Sequence, residues 1–459
     1  MKSYKVLSLI LTAMMFMLSI GCSNSASNNP AASESPASAS TAEPDAPSSN
    51  LEGSVVFWSM WSDTEPQAKV IQGAVEQFKK ANPNVTVDLK FTGRDLNKLI
   101  KPALDGGQQI DIFEGDPAVT MDTVKDHLLK LDEYLSEPAV GMEGKTVQES
   151  ILPSLMDWTK SLSVKAGLEE GFYALPQQPF AVLFFYNKEV YEKAGITSPP
   201  ATWEQFMEYN ERIKQAGVAP ITFDDAYRDL FIGGYLSSAM GNEWVDQLVN
   251  DKTGEMWKDP IVLQFAKDML LMKENGYFST KLAGSKYPAA QQDLVLGQSA
   301  AYLNGTWLPN EVAATAGPDF KWGSFQFPTV PNGNGKGGTQ ELTFGAQALM
   351  LNKNSSNKAA AIELVKYLIG KNAQSEMVKQ AQAIPATVDT EWPPALAEAA
   401  VAIDNAKINA PWGFGINNSA DFSKGMIVPV FMELVTGKLS ADDYVNKMSS
   451  EAKKFYGSN

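Results

Sequence analysis

The chain has 459 residues, of which 44% are hydrophobic and 10% aromatic, and its formal net charge is −15. So acidic a chain repels polyanions, which argues against nucleic acid as a partner. Its one cysteine and one histidine exclude a disulfide framework, a Ser-His-Asp or Cys-His catalytic set and a metal site built from Cys and His.

The N-terminus has the pattern of an export signal. Lys2 and Lys5 accompany an uncharged apolar run over residues 6–20, which is too short to span a bilayer and is typical of a signal-peptide core. The run ends at Gly21-Cys22, which resembles a bacterial lipobox, although Ser19 stands where a lipobox usually has leucine. The resemblance implies that residues 1–22 are a lipoprotein signal peptide and that Cys22 is lipidated, with a palmitate-type anchor on the outer face of the cell membrane. The alternative is an ordinary cleaved signal with an incidental cysteine.

Residues 23–50 consist mainly of Ser, Ala, Pro, Asn and acidic side chains, with almost nothing apolar to bury. Such a segment cannot offset its ordering entropy, so we predict a flexible tether. No later apolar run is long enough for a transmembrane helix.

The next part of the chain alternates between strand and helix patterns. Residues 54–58 predict a buried strand, apolar residues at helical spacing over 70–78 predict a helix, and 85–91 alternate as a half-buried strand does. A further short strand is expected at 110–113. Strand, helix and strand at this spacing form a unit of a parallel sheet.

The remaining sequence continues the same pattern. Thr202 and Gln205 form a capping box, with Thr202 as the N-cap and Gln205 reaching back to it. About 400 residues exceed the usual limit of one core, so we predict an α/β fold with two lobes. The further predicted elements are extended segments at 173–176 and 182–186, a helix at 188–194, strands at 220–223 and 344–351, a helix turning into a strand over 294–305, and a helix at 358–369.

Three features that could indicate an enzyme have simpler explanations. His127 lies in a charged stretch and is expected to be a solvated helix residue. The Gly-rich loop at 333–338 lacks the spacing of a phosphate-binding loop, and Ser355-x-x-Lys358 has no partner motifs in the required order. Acidic residues are numerous enough for a catalytic carboxylate pair, so a glycoside hydrolase or lyase stays open as an alternative.

Several motifs are similar, in order and spacing, to the bacterial extracellular solute-binding proteins, the family that includes maltodextrin-binding protein. The most specific are Tyr173-Ala-Leu-Pro with the segments that follow it, and a predicted helix that leads into Gly305-Thr306-Trp307. The matching segments are 173–176, 185–189, 193–196, 200–204, 296–307, 358–369 and 384–386.

The resemblance implies a two-lobed periplasmic-binding-protein-like fold with a ligand cleft between the lobes. It implies that lobe 1 comprises 51–178 and 335–386, and that lobe 2 comprises 179–334 and 387–459. It also implies a monomer without cofactor, metal or catalytic residues, which captures a sugar or oligosaccharide and delivers it to the permease subunits of an ABC importer. The alternatives are an exported carbohydrate-active enzyme and a binding protein for a polyamine-like cationic solute.

Sugars present apolar faces and rings of hydroxyls, so their sites need aromatic platforms and short polar side chains. Open α/β sheets bind ligands at the loops after their strands. Trp61 and Asp63 follow the first strand, where the resemblance implies the first binding loop. Asp116 follows the third strand, where the resemblance implies a polar sugar ligand, and the alternative is a turn residue before Pro117. Trp58 is expected in the core.

The later candidates are two amides at the crossover, two acidic residues after a strand and three aromatics. Asp224 and Asp225 could instead cap a helix. The resemblance makes Trp307 the residue that stacks on sugar, and the glycines around Trp412 and Phe414 indicate an exposed loop. Trp244 is expected to pack within a lobe. The full set of later candidates is Gln177, Gln178, Asp224, Asp225, Trp307, Trp412 and Phe414.

Overall fold

A strand, a helix and a second strand begin the fold, as the sequence pattern predicts. The computed structural model describes residues 51–331, 341–406 and 408–457, except for the side chain of residue 404. Strand β1 spans Gly53–Ser59, helix α1 spans Pro66–Ala81 and strand β2 spans Val85–Phe91. The apolar face of α1 is buried, and β1 pairs with β2 in parallel over its whole length.

One mixed sheet runs through the molecule in the order β2-β1-β3-β9-β4-β6-β5, and β7 also pairs with β4. A separate two-stranded sheet joins β8 and β10. The further strands are β3 Ile112–Gly115, β4 Leu175–Asn187, β5 Ala219–Thr222, β6 Ser299–Gly305, β7 Trp322–Phe325, β8 Glu341–Leu342, β9 Phe344–Leu351 and β10 Ile408–Asn409.

Strand β4 belongs to both halves of the sheet. Its first part pairs antiparallel with β9 as far as Ala181, and from Val182 onward it pairs with β6 and then also with β7. The two extended segments expected at 173–176 and 182–186 are therefore one continuous strand, because residues 178–181 also pair with β9. The pairing shifts register between Pro176 and Gln178.

Helices cover the sheet, and among the described residues no helix is both long and apolar enough to cross a membrane. They are α2 Leu96–Asp105, α3 Pro117–Val124, α4 Val147–Ser150, α5 Pro153–Lys165, α6 Lys188–Lys193, α7 Trp203–Gln215, α8 Arg228–Met240, α9 Asn242–Val249, α10 Pro260–Glu274, α11 Ala289–Val295, α12 Leu308–Glu311, α13 Ala313–Ala316, α14 Lys358–Leu368, α15 Lys371–Ala381, α16 Ala397–Asn405, α17 Ala420–Phe422, α18 Val428–Val435 and α19 Ala441–Gly457.

Two local predictions need correction. Thr202 caps α7 by accepting a hydrogen bond from the Gln205 backbone N–H at 3.2 Å, but the Gln205 side chain accepts from the backbone N–H of Ala201 at 2.9 Å, one residue before the cap. His127 ends a short 3₁₀ turn and is half-buried rather than solvated, because its ring hydrogen-bonds Asp105 at 2.7 Å.

Of the remaining sequence motifs, one has a structural role and the others lie outside the described residues. Ser355 is buried and donates its hydroxyl to Asp111, a contact that fixes a turn after β9. The predicted signal peptide, Cys22, the tether and the Gly-rich loop at 333–338 lie outside the described residues.

Candidate functional site

A cleft of about 500 Å³ opens where the loops after several strands meet. Trp61 follows β1, Asp116 follows β3, and Trp307 follows β6, while Gln178 and Gln347 project from β4 and β9. The lining residues are Met60, Trp61, Glu65, Pro66, Gln67, Arg94, Asp116, Gln178, Phe180, Tyr227, Trp307, Asn310, Glu311, Gln347 and Trp412.

An aromatic wall forms one side of the cleft. The rings of Trp307 and Trp412 stack with centroids 6.1 Å apart and planes inclined by 20°. Phe180 packs against Trp307 at 5.9 Å. Gly305 gives the indole of Trp307 its space, since a Cβ at position 305 would lie only 2.2 Å from the ring. Because Trp412 is 37% exposed, the stack has free area to offer a ligand.

Trp61 is held from behind by a buried carboxylate. Its indole N–H donates to Glu114 Oε1 at 2.6 Å, and the hydroxyl of Ser59 donates to Oε2 at 2.6 Å. Glu114 is wholly buried, and this burial raises the pKa of its carboxyl to about 7, although both hydrogen bonds and the nearby Arg94 act in the opposite direction. The Glu114 carboxyl therefore fixes the orientation of Trp61.

Arg94 is paired with a carboxylate and hydrogen-bonded to the backbone of the protein. Its guanidinium forms a two-pronged ion pair with Glu65, at 2.6 Å and 3.1 Å, and donates to the carbonyl of Met60 at 2.9 Å. The same group lies 4.4 Å from the centre of the Trp61 ring, a cation–π contact. Arg94 thus packs on the face of the Trp61 ring, whose N–H edge is held by Glu114.

Asp116 caps a helix and also lines the cleft. Its Oδ1 accepts a hydrogen bond from the backbone N–H of Ala118 at 2.9 Å and so caps α3. The side chain also lines the cleft, where part of it still contacts solvent. Desolvation raises the pKa of its carboxyl to about 6, against the effect of the hydrogen bond from Ala118. No cation pairs with this carboxyl among the described residues.

Glu311 is a second cleft carboxylate without a direct cationic partner among the described side chains. It accepts a hydrogen bond from the hydroxyl of Tyr287 at 2.8 Å. Desolvation raises the pKa of its carboxyl in spite of this bond, of the neighbouring Gln291 and of the more distant Arg94.

Two amide oxygens in the cleft, Gln178 Oε1 and Gln347 Oε1, are buried without a hydrogen-bond partner among the described atoms. Gln178 is only 9% exposed. Buried acceptors normally have partners, and leaving one unpaired costs about 1–3 kcal/mol. Either oxygen would gain a partner if its side chain turned towards a donor in the cleft.

Five of the ten predicted residues line the cleft: Trp61, Asp116, Gln178, Trp307 and Trp412. The other five do not. Asp63 is exposed beyond the cleft, and Gln177 is 1% exposed because it points into the core. Neither Asp224 nor Asp225 is the N-cap of α8, which is Tyr227.

The contacts of these last residues explain their placement. Asp224 is buried and accepts from the Tyr302 hydroxyl at 2.9 Å, and Asp225 pairs with Lys286 at 2.8 Å. Phe414 was predicted to lie in an exposed loop, but its side chain is only 3% exposed, so this prediction is wrong. Positive φ angles at residues 413–415 turn this ring inward while Trp412 stays at the surface. Trp58 is buried as expected.

Several cleft residues escaped the sequence analysis. Phe180 had a usable signal, since it lies two residues beyond Gln178 on a strand and so shares its face. Arg94, Tyr227 and Glu311 had none, because their partners are distant in sequence. The same holds for Glu114, which lies behind the cleft and 53 positions from Trp61. Among the described residues, no group of three or more His, Cys, Asp or Glu side chains is arranged to hold a metal ion.

Comparison with known proteins agrees with this architecture. Residues 61–375 match the family model described as bacterial extracellular solute-binding protein. An ABC transporter extracellular-binding protein of Pyrococcus horikoshii is 23% identical over 329 residues, which are 67% of this chain and 66% of that protein.

Two solved structures share the two-lobed fold. A chitin oligosaccharide binding protein superposes with a TM-score of 0.65 at 22% identity, covering 88% of this chain and 99% of the other. A solute-binding protein in complex with raffinose superposes with a TM-score of 0.65 at 17% identity, covering 88% of this chain and 100% of the other.

Proposed function

Because the chain belongs to the family of bacterial extracellular solute-binding proteins, we propose that it captures a sugar or oligosaccharide in the aromatic cleft and delivers it to an ABC importer. The family binds solutes and does not catalyse reactions, so the protein is not an enzyme. The named ligands of the two structural neighbours, a chitin oligosaccharide and raffinose, support a sugar as the solute.

The observation that carries this proposal is the Trp307–Trp412 stack. Aromatic faces complement the C–H faces of sugar rings, and the stack is continued by Phe180 at 5.9 Å. Polar side chains of Asp116 and Gln178 face the same space and can accept hydrogen bonds from sugar hydroxyls.

We assign the ligand contacts to the five predicted residues that line the cleft. Trp307 and Trp412 are the stacking platform, Trp61 contributes the small part of its ring that reaches the cleft, and Asp116 and Gln178 are hydroxyl acceptors. The remaining five predicted residues, namely Asp63, Gln177, Asp224, Asp225 and Phe414, act at most in support of that surface.

The lobe boundaries are also part of the proposal. Lobe 1 comprises 51–178 and 335–386, and lobe 2 comprises 179–334 and 387–459. The sheet pairing supports this division, because β4 changes its main partner from β9 to β6 just after residue 181. Ligand binding then favours a closed arrangement of the lobes that an importer can recognise.

Titration calorimetry against a panel of neutral oligosaccharides tests the proposed ligand class. The panel contains maltotriose, cellotriose, chitotriose and raffinose, with spermidine included because the cleft carboxylates also suit a cation. We expect stoichiometric binding of at least one oligosaccharide without formation of product. Binding of spermidine alone would replace the sugar by a cationic solute, and cleavage of a bound glycan would contradict the assignment as a binding protein.

The proposed anchor is Cys22, which would hold the protein, as a monomer, on the outer face of the cell membrane near its importer. Its support is the lipobox-like Gly21-Cys22 after an apolar run. Cys22→Ser should move the protein from the membrane fraction to the soluble exported fraction. A variant that stays in the membrane and is processed normally would show that the anchor lies elsewhere.

A further inference from the structure

The three cleft tryptophans lie beside polar groups of the protein. Trp61 donates its indole N–H to Glu114 at 2.6 Å. The indoles of Trp307 and Trp412 lie near the Tyr227 hydroxyl and the Asp229 carboxylate. Indole has no other polar group. Trp61 therefore offers the ligand no hydrogen-bond donor, and the stacked rings of Trp307 and Trp412 offer it mainly carbon surface.

The charged groups of the cleft are predominantly negative. Three carboxylates, on Glu65, Asp116 and Glu311, line it together with one guanidinium, on Arg94. Arg94 has both terminal nitrogens engaged by Glu65, with Met60 as a further acceptor, and packs on Trp61. The only cation among the described lining residues is thus already paired with a carboxylate.

The unpaired polar atoms of the cleft point to the same ligand chemistry. Gln178 Oε1 and Gln347 Oε1 are buried acceptors without partners in the described chain. Once the side chain turns its oxygen towards the cleft, a hydroxyl or an amine can donate to it, whereas a carboxylate, sulfate or phosphate oxygen cannot. An anionic group placed here would leave these acceptors unpaired and would itself lose hydration without gaining a counter-charge.

We propose that the cleft selects glycans without acidic groups and excludes those that carry a carboxylate, sulfate or phosphate. The inference rests on the proposed function, because it narrows the sugar class of the same site. The selection works by repulsion as well as by fit, since Asp116 and Glu311 both line the cleft and repel an acidic substituent that enters it. Asp116 and Glu311 are then the specificity-determining residues.

The test compares one neutral oligosaccharide with its own acidic derivative. The probes are the tightest-binding neutral oligosaccharide of the panel and the same molecule after oxidation of its primary hydroxyls to carboxylates. At pH 8 and low ionic strength we expect the oxidised form to bind at least about tenfold more weakly, and the difference to shrink as salt is added.

A double variant links the selection to the two carboxylates. Asp116→Asn with Glu311→Gln should bring the affinity ratio of the two probes towards one; asparagine retains the cap of α3. The control removes the same two charges from exposed positions outside the cleft, by Asp88→Asn with Glu274→Gln, and should leave the ratio unchanged.

The outcomes separate the two proposals. If the neutral probe binds and the oxidised probe binds as well or better, the exclusion of acidic glycans is wrong while the sugar-binding function stands. If the ratio changes equally in both double variants, the effect is one of total charge and the assignment to Asp116 and Glu311 is wrong. If no oligosaccharide of the panel binds, the proposed function fails, and this inference fails with it.

Discussion

At the scale of the residue, the cleft depends on tryptophans whose polar N–H group and apolar ring have different contacts. The N–H of Trp61 is held by Glu114, and its ring is covered by Arg94 on one face. Trp307 and Trp412 stack on each other, near Tyr227 and Asp229 respectively. Side chains fixed in this way lose little entropy on binding, which is the general advantage of a preorganised site.

Trp307→Ala should weaken oligosaccharide binding by about ten- to a hundredfold, because the lost apolar contact is worth about 1.5–3 kcal/mol. The unfolding midpoint should change less, since Trp307 is only partly buried. Calorimetry and thermal unfolding of the same variant measure both effects. Trp257→Ala is the opposite control: its ring is wholly buried, and removal should cost about 3–5 kcal/mol of stability. Unchanged affinity with a collapsed midpoint would make Trp307 a core residue.

A second variant displaces the indole without removing it. Gly305→Ala would place a methyl group 2.2 Å from the Trp307 ring, so the ring must move. We expect weaker binding of the same oligosaccharide. Gly284→Ala is the matched control, because a Cβ there meets nothing within 4 Å. Equal affinities for the two variants would contradict the role of the Trp307 position.

Glu114 predicts a pH dependence of stability. Its pKa of about 7 in the folded protein lies above the ordinary value of 4.5, so the folded state holds this proton more tightly than the unfolded state. The stabilisation is complete below about pH 4.5 and is lost as pH rises to about 7. Glu114→Gln cannot titrate, so its unfolding free energy relative to the native protein should rise between pH 5 and 8, by on the order of 2 kcal/mol. Chemical denaturation at each pH measures it, and a constant difference would show that Glu114 does not titrate in this range.

At the scale of the element, the loop that carries Trp412 is positioned by close packing on α8. A Cβ at Gly233 of this helix would lie 1.8 Å from the carbonyl oxygen of Gly413. Gly234 next to it leaves similar room for the ring of Phe327. Two adjacent glycines in a buried helix therefore set how near the 412–419 segment approaches and where Trp412 lies.

Gly233→Ala should destabilise the protein by about 1–3 kcal/mol, since the atom it meets belongs to the backbone and cannot rotate away. It should also weaken ligand binding by shifting Trp412. Gly73→Ala in α1 is the matched control, because this helical glycine is exposed and has nothing within 4 Å. That variant should gain up to about 1 kcal/mol from helix propensity. Denaturation midpoints measure the stability change of each variant. A change of the same sign in both variants would contradict the packing argument.

At the scale of the whole molecule, β4 is the element that joins the two halves of the sheet. It pairs with β9 through its first part and with β6 through its second. The cleft residues come from both parts of the sheet, with Trp61 and Asp116 following β1 and β3 and Trp307 following β6. A ligand that contacts both groups stabilises whichever arrangement brings them together.

Small-angle X-ray scattering should therefore show a smaller radius of gyration when a saturating oligosaccharide from the panel is added. The physical reason is that a closed arrangement lets the ligand contact both walls of the cleft. An oligosaccharide that does not bind is the control and should leave the scattering curve unchanged. An unchanged radius at proven saturation would mean that this protein binds its ligand without closing.

The sequence by itself determined the local elements and the family. Apolar residues at helical spacing predicted α1, alternation predicted β2, and Thr202 marked the start of α7, because these patterns depend on neighbours in the chain. The family motifs then led to Trp307. These signals also placed the first strands well enough to identify Trp61 and Asp116 as candidates.

Only the tertiary structure decided which candidates face the cleft. Asp116 and Asp224 both follow an apolar strand, yet Asp116 lines the cleft and Asp224 turns to Tyr302, 78 positions away in sequence. In the sequence Glu114 looks like an ordinary strand residue, and only the folded structure shows that Trp61 lies beside it. The direction of a loop side chain is set by partners brought together from distant segments, and such partners leave no periodic pattern in the sequence around it.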